Sequence, residues 1–351
     1  MRIAAGIVSP TLQQCAARAR AAEQAGYDTV LSMENQHDPF LPLAAAVLGT
    51  DRIELATAVA IAFPRSPMVV ANAAWDLHVS SAGRFVLGLG SQVKGHNERR
   101  FSVPWSAPAP RLREYVLALR AIWRCWEYGE KLDFNGTHYR FTLMPPNFMP
   151  GASGLGLVPV SIAAVGAAML RVAGEVCDGV RLHPFCTRRY LDNVVLPQLE
   201  VGLARGKRAR ERFEISGGGF VVTGPDDASV AERLEWVRAR VAFYGSTRSY
   251  FPVLEQHDLQ DLGMKLHRMS VAGQWREMAQ QIPDDVLHLF TAVGRHDTIE
   301  AAVAQRFGGI SDAISEALPP GHAPGIPPDL IADLQRLPRR FHGYDMRGDQ
   351  P

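Results

Sequence analysis

Two runs, Ile53-Glu54-Leu55-Ala56-Thr57-Ala58-Val59-Ala60 and Phe85-Val86-Leu87-Gly88-Leu89-Gly90, decide the fold. Both are short, mostly aliphatic, and lack the strict polar alternation of a strand with one wet face. Nearly continuous apolar character marks strands covered on both sides, as in a parallel sheet flanked by helices. Between them Met68 to Ser80 keeps a helical period, so the three segments read as one strand–helix–strand unit.

Working outward, the unit repeats. Arg2 to Ser9 predicts a first strand. A helix over Thr11 to Gln24 follows, with Thr11 as N-cap and Gly26 as its stop, and Thr29 to Met33 predicts a second strand. Leu41 to Leu48 predicts the helix leading into Ile53. Downstream, Arg111 to Trp126 is helical, and strands are expected at Val160–Ala164, Gly179–Leu182 and Phe213–Val222, with helices Ala167–Cys177 and Arg188–Ala204 between them. Two segments compete for the eighth strand, Val286–Val293 and Ile310–Ser315. The helix Thr298–Arg306 and the Gly308-Gly309 stop favour the second.

The implied architecture is α/β: a single (β/α)₈ barrel over residues 1–318, with insertions in βα loops near 128–159 and 243–283 and a tail over 319–351. The tail, rich in Pro, Gly and Arg, reads as a short helix followed by disorder. A length of 351 residues suits one large barrel or two average domains. The formal charge of +1, with Lys and Arg scattered, carries no footprint of a nucleic-acid or membrane-surface binder and directs attention to small molecules. Met1-Arg2 runs straight into apolar sequence too short for a signal-peptide core, so a cytoplasmic location is expected. Cys15, Cys125, Cys177 and Cys186 show neither CxxC pairing nor His-rich neighbours, which argues for reduced thiols and against a zinc site.

Barrel enzymes carry their chemistry on the loops after the strands. After strand two stands Glu34-Asn35-Gln36-His37-Asp38, dense in proton-exchanging groups, or alternatively a helix-entry loop with Asp38 as cap. After strand three, Phe63-Pro64-Arg65-Ser66-Pro67 offers a rigid apolar surface for a flat ring, or a plain turn. After strand four, the glycines and the positive Lys94, His96, Arg99 and Arg100 suit an anion such as a phosphate, although many such loops are merely solvated. After strand five, Ala164-Val165-Gly166-Ala167 opens a helix whose free amides suit a phosphate or a ring carbonyl, or simply packs tightly. After strand six, His183 either faces the pocket or is a satisfied core histidine.

The order of Ala22-Glu23-Gln24-Ala25-Gly26-Tyr27-Asp28, Gly83 to Gly90, Ile162-Ala163-Ala164 and Ala173 to Gly179 resembles the luciferase-like monooxygenases over roughly residues 3–315. Within that superfamily, Phe63 to Pro67, Leu89 to Arg100 and His183-Pro184-Phe185-Cys186-Thr187 look like the branch dependent on coenzyme F420, a deazaflavin. The resemblance implies a barrel mouth that binds the deazaflavin or flavin ring, backed by a bulge with a non-prolyl cis peptide at Ala58-Val59. It further implies that Asn35, Ser91, Gln92, Lys94 and Asn97, with Ala164, Val165, Gly166 and Ala167, surround the cofactor, and that the protein is a homodimer.

Relatives that oxidise sugar phosphates or alcohols often follow an acidic residue after strand two with His; here the pair is Glu34-Asn35, and Val93 stands near where a second acidic residue is used. Sugar-phosphate oxidation is therefore not expected. Glu34, His37 and His183 remain the candidates for proton transfer. Three functions are open at this level: an F420-dependent oxidoreductase passing hydride between deazaflavin and a small organic substrate, an FMN-dependent monooxygenase, and a cofactor-binding protein without catalysis.

Overall fold

The computed structural model describes residues 1–346 apart from Val8 and Pro320. Eight parallel strands close into a barrel with helices outside. They are Arg2–Gly6, Thr29–Ser32, Glu54–Thr57 with its continuation Ala60–Ile61, Phe85–Gly90, Val160–Ala164, Gly179–Leu182, Glu214–Gly217 and Ala313–Ser315. The eighth pairs with the first through Arg2↔Ala313, and the third with the fourth through Leu55↔Phe85, so no edge remains. The (β/α)₈ expectation holds. The first strand ends at Gly6 rather than Ser9, with Val8 outside the described residues.

The seventh strand departs from its expected span, Phe213–Val222. Gly217 and Gly218 adopt φ of 84° and 97°, a left-handed region that suits glycine, and they turn the chain out of the barrel. It resumes as Phe220–Gly224, which pairs with Thr291–Arg295 in a separate parallel ribbon. Both competitors for the eighth strand therefore contain strand. Thr291–Arg295 serves the ribbon, and Ala313–Ser315 closes the barrel.

Helices form where the apolar period and the caps coincide. Thr11 caps Leu12–Ala25 by accepting from the Gln14 amide, and Gly26 ends it at φ 95°. The segment 129–159 joins the helix Pro108–Tyr128 to the fifth strand, so it is an αβ connection and not the βα loop expected from sequence. Its small hairpin, Phe134–Asn135 with Arg140–Phe141, folds back on that helix, where the Glu114 carboxylate accepts amides of Thr137, His138 and Tyr139. Among the described residues no helix is long and apolar enough to cross a membrane, and all four cysteines are buried and unpaired.

Aspartates at the N-terminal rim stitch neighbouring strands together. Asp28, just before strand two, accepts the Ile3 amide of strand one at 2.7 Å. Asp178 does the same for Val160 and Asp312 for Ile215, both at 2.8 Å. Inside this rim a charged floor fills the barrel. Arg2 pairs with Glu214 at 2.6 Å and with Glu54 at 3.0 Å, and Tyr344 from the tail donates to Glu214 at 2.9 Å. Burial pushes the Glu54 carboxyl up, and the Arg2 guanidinium opposes that shift.

The tail corrects the expectation of disorder over its described part. Pro328–Gln335 is helical, the Arg340 and Phe341 amides donate to Asp312, and the Leu157 amide donates to the Met346 carbonyl.

Replacing Arg2 by Met leaves Glu54 and Glu214 buried without their shared cation. The expected loss is about 3 to 5 kcal/mol of unfolding free energy in a urea titration. Adding Glu54→Gln and Glu214→Gln to that variant is expected to restore most of it.

Candidate active site

The site is assembled at the C-terminal rim. Here the third strand carries one extra residue: Ala56 pairs with Val86 and Ala60 with Leu89, so four steps on one strand face three on the other. The bulge contains the cis peptide Ala58-Val59 that the resemblance implied. Thr57 braces it, its hydroxyl accepting the Gly88 amide at 2.8 Å and donating to the Gly88 carbonyl at 2.7 Å. A Cβ on Gly88 would lie 1.9 Å from the Thr57 carbonyl oxygen, and one on Gly90 would lie 2.6 Å from Val59 Cγ2. The glycines in this strand are thus required by close approach.

Glu34, two residues past strand two, is committed to this bulge. Its Oε2 accepts the Ile61 amide at 2.7 Å and Arg65 Nη1 at 2.8 Å, and Oε1 accepts the same nitrogen at 3.0 Å. Arg65 also reaches Asp38 at 3.2 Å, and its carbonyl accepts the Tyr115 hydroxyl at 3.1 Å. Asp38 in turn accepts the Phe40 and Leu41 amides, the capping role weighed for it from sequence. Asn35 is exposed, and its carbonyl accepts from Arg100. His37 is exposed, with no hydrogen bond or ring contact among the described residues.

The loop after strand four turns through Gln92, at φ 56°, into a short helix, Lys94–Arg99. Asn97 is fully buried and holds the loop from beneath, its Nδ2 donating to the Ser91 carbonyl at 2.9 Å and the Val93 carbonyl at 3.2 Å. Its Oδ1 is buried without a partner among the described residues. Ser91 and Gln92 are half-buried, and Lys94 is exposed, 3.9 Å from Glu98.

Strands five and six supply the other wall. Gly166 precedes the helix Ala167–Val176 with no side-chain cap, and a Cβ built on it meets nothing within 4 Å. The Gly166 carbonyl accepts the Met169 and Leu170 amides, both at 3.1 Å, which leaves the Ala167 and Ala168 amides without a backbone acceptor among the described residues. The Val165 carbonyl accepts the Tyr190 hydroxyl at 3.0 Å. Ala164 and Val165 line a small apolar cleft with His183, Phe185 and Cys186.

His183 accepts the Phe185 amide on Nδ1 at 3.0 Å, which places its proton on Nε2 when the ring is neutral. Burial pushes its pKa down to about 4, so the neutral form prevails at pH 7. Its ring lies edge-on to Tyr244, centroids 4.3 Å apart, and 4.7 Å from Tyr250. Sequence reasoning singled out neither tyrosine. The aromatic density of Phe243-Tyr244 and Tyr250-Phe251 within a polar insertion was the available signal. The strand order sets strand two and strand six at opposite sides of the barrel, so the Glu34 and His183 clusters flank the mouth and do not form one constellation.

Residues 1–311 match the family model for luciferase-like monooxygenase. Among curated proteins the chain is similar to the uncharacterized protein Rv1360 of Mycobacterium tuberculosis, 47% identical over 309 residues, covering 88% of this chain and 91% of the relative. It is also similar to the putative coenzyme F420-dependent oxidoreductase Rv3520c of the same organism, 28% identical over 81% of this chain and 84% of the relative. Among solved structures, the coenzyme F420-dependent tetrahydromethanopterin reductase of Methanopyrus kandleri superposes with a TM-score of 0.75 at 18% identity, over 96% of this chain and 97% of the other.

The depressed His183 value has a consequence for stability. The unfolded ring titrates near the ordinary value of about 6.5, so below it the unfolded chain binds a proton that the folded chain refuses. This contribution to stability is full above that value, falls as the pH drops, and is lost by the folded value of about 4. His183→Phe is expected to flatten the decline in urea-unfolding free energy between pH 7 and pH 5. An unchanged slope would show that the ring protonates freely in the folded protein.

Proposed function

We propose, for a chain that belongs to the luciferase-like monooxygenase family, that it is an F420-dependent oxidoreductase acting on a small organic substrate at the barrel mouth. The observation that carries this reading is the pairing of an open anion-binding wall with a neutral histidine donor. Free amides at the start of the helix Ala167–Val176 lie on one side, and the Ser91–Arg100 loop with its cationic residues lies beyond strand four. That donor set fits a cofactor whose tail is a phosphodiester with glutamates. The similarity to a putative F420-dependent oxidoreductase points the same way.

The bound deazaflavin would supply hydride transfer; the protein supplies position and hydrogen bonds. In this reading the Ala58–Val59 bulge and Gly90 form the surface against which the ring rests. Ser91, Gln92, Lys94 and the amides of Val165, Gly166 and Ala167 hold the polar periphery, and Ala164 lines the wall. Asn97 shapes the loop from below rather than touching the cofactor. His183, neutral at pH 7, is a hydrogen-bond donor through Nε2–H that would polarise a substrate oxygen, and the proton itself is exchanged with solvent. Glu34 is a positioning residue: both its oxygens are occupied, and through Arg65 and the Ile61 amide it fixes the bulge. His37 and Asn35, both exposed, are given no chemical step.

Titration of the purified chain with F420 and with FMN, followed by fluorescence and thermal shift, tests the cofactor. Micromolar F420 binding with FMN at least tenfold weaker is expected, and tighter FMN binding would overturn the reading. His183→Ala is expected to lower turnover about a hundredfold, the scale of one hydrogen-bond donor to a developing oxyanion, with F420 affinity nearly unchanged. Glu34→Ala is expected to weaken F420 binding as well as turnover, and Glu34→Gln, which keeps the acceptor for Ile61, to recover part of the binding.

A further inference from the structure

We propose that His183, Tyr244 and Tyr250 form a recognition site for an uncharged planar substrate that presents a carbonyl oxygen; the proposal rests on the functional reading above. The three rings make a triangle with centroid separations of 4.3, 4.7 and 5.9 Å. Phe185 backs it at 5.6 Å from Tyr250 and is itself stacked on Phe290 at 4.5 Å, so the cluster has a rigid apolar base.

Each ring also brings one polar atom that the protein leaves unused. The His183 Nδ1 is taken by the Phe185 amide, but Nε2 has no hydrogen bond among the described residues, and neither do the hydroxyls of Tyr244 and Tyr250. None of the three is sealed from solvent without a partner, so all can meet a ligand. Burial keeps the phenols protonated, raising both tyrosines, and keeps the imidazole neutral. Each free atom can thus donate, and a ligand oxygen that accepts complements all three.

Charge selects among acceptors. The triangle itself holds no ion. The nearby cation Arg240, one turn before Tyr244, lies over Trp236 at 5.6 Å and Phe243 at 5.7 Å. A carboxylate would be desolvated against aromatic faces with Arg240, engaged by Trp236 and Phe243, as the cation on offer, whereas a ketone or aldehyde oxygen loses little. The flat body of such a ligand finds edge and face contacts with the rings.

The test uses the full chain and ligand-observed NMR with three probes: acetophenone, ethylbenzene, which lacks the acceptor, and benzoate, which adds charge. Acetophenone is expected to bind at least about fivefold more tightly than either, the weight of one neutral hydrogen bond. Tyr244→Phe and Tyr250→Phe should each erase part of the acetophenone advantage and leave ethylbenzene unchanged, while Tyr250→Leu weakens both. Equal binding of acetophenone and ethylbenzene, or no response to either Phe variant, overturns the proposal. So does a preference for benzoate, which would transfer recognition to Arg240. F420 affinity, read separately in the same variants, is expected not to move. A wild-type chain that fails to bind F420 but keeps the probe pattern would sink the cofactor reading alone.

Discussion

A parallel barrel leaves amides unpaired where each strand begins, and in this protein carboxylates meet them. Asp28, Asp178 and Asp312 each stand immediately before one strand and accept the first or second amide of its neighbour. The alternative is a buried donor with no acceptor, a cost comparable to a lost hydrogen bond at every such position. Two of these aspartates also anchor arginines. Asp178 takes Arg120 and Arg208, and Asp312 takes Arg210, so the helices that return to the strands are fixed by the same groups that set the ladder register.

Register set at one rim determines geometry at the other. Because strands three and four are held in phase at Leu55↔Phe85, the additional residue before Ala60 must be absorbed as a bulge, and Gly88 and Gly90 give it room. Thr57 replaces ladder contacts from within the barrel, and Glu34 with Arg65 holds the outside. The surface offered at the mouth is therefore the sum of a sterically required pair of glycines and a half-buried ion pair. The opposite wall, with His183, owes its position to the short turn in which Phe185 binds back to the imidazole.

The alternation of apolar strands with capped helices made the barrel legible, since buried parallel strands have a sequence character that little else imitates. Strand seven was misread because Phe213 to Val222 is apolar on both sides of Ser216-Gly217-Gly218-Gly219, and only the backbone conformation of the glycines reveals that the chain leaves the barrel there. At the site, the types of residue were legible and their commitments were not. Glu34 looked available for proton transfer, but its two oxygens are engaged by a residue 31 positions away. Tyr244 and Tyr250 lay hidden in an insertion whose polar composition carried no period, and only folding brings them against His183. Asn97 was placed near the cofactor by the resemblance, and only folding shows that it is buried and donates to the Ser91 and Val93 carbonyls of its own loop.

The floor of the barrel ties the order of synthesis to the order of assembly. Arg2 is joined to Glu214, and Glu214 to Tyr344, so one continuous chain of contacts spans nearly the whole polypeptide. On the ribosome the first strand emerges long before most of its partners: Glu54 follows early, but Glu214 and Tyr344 come only with the seventh strand and the tail. Closure is consequently a late, long-range event with a large loop entropy to overcome. Until Ala313–Ser315 clears the exit tunnel, the half-made barrel presents open strand edges to any chaperone or neighbouring nascent chain.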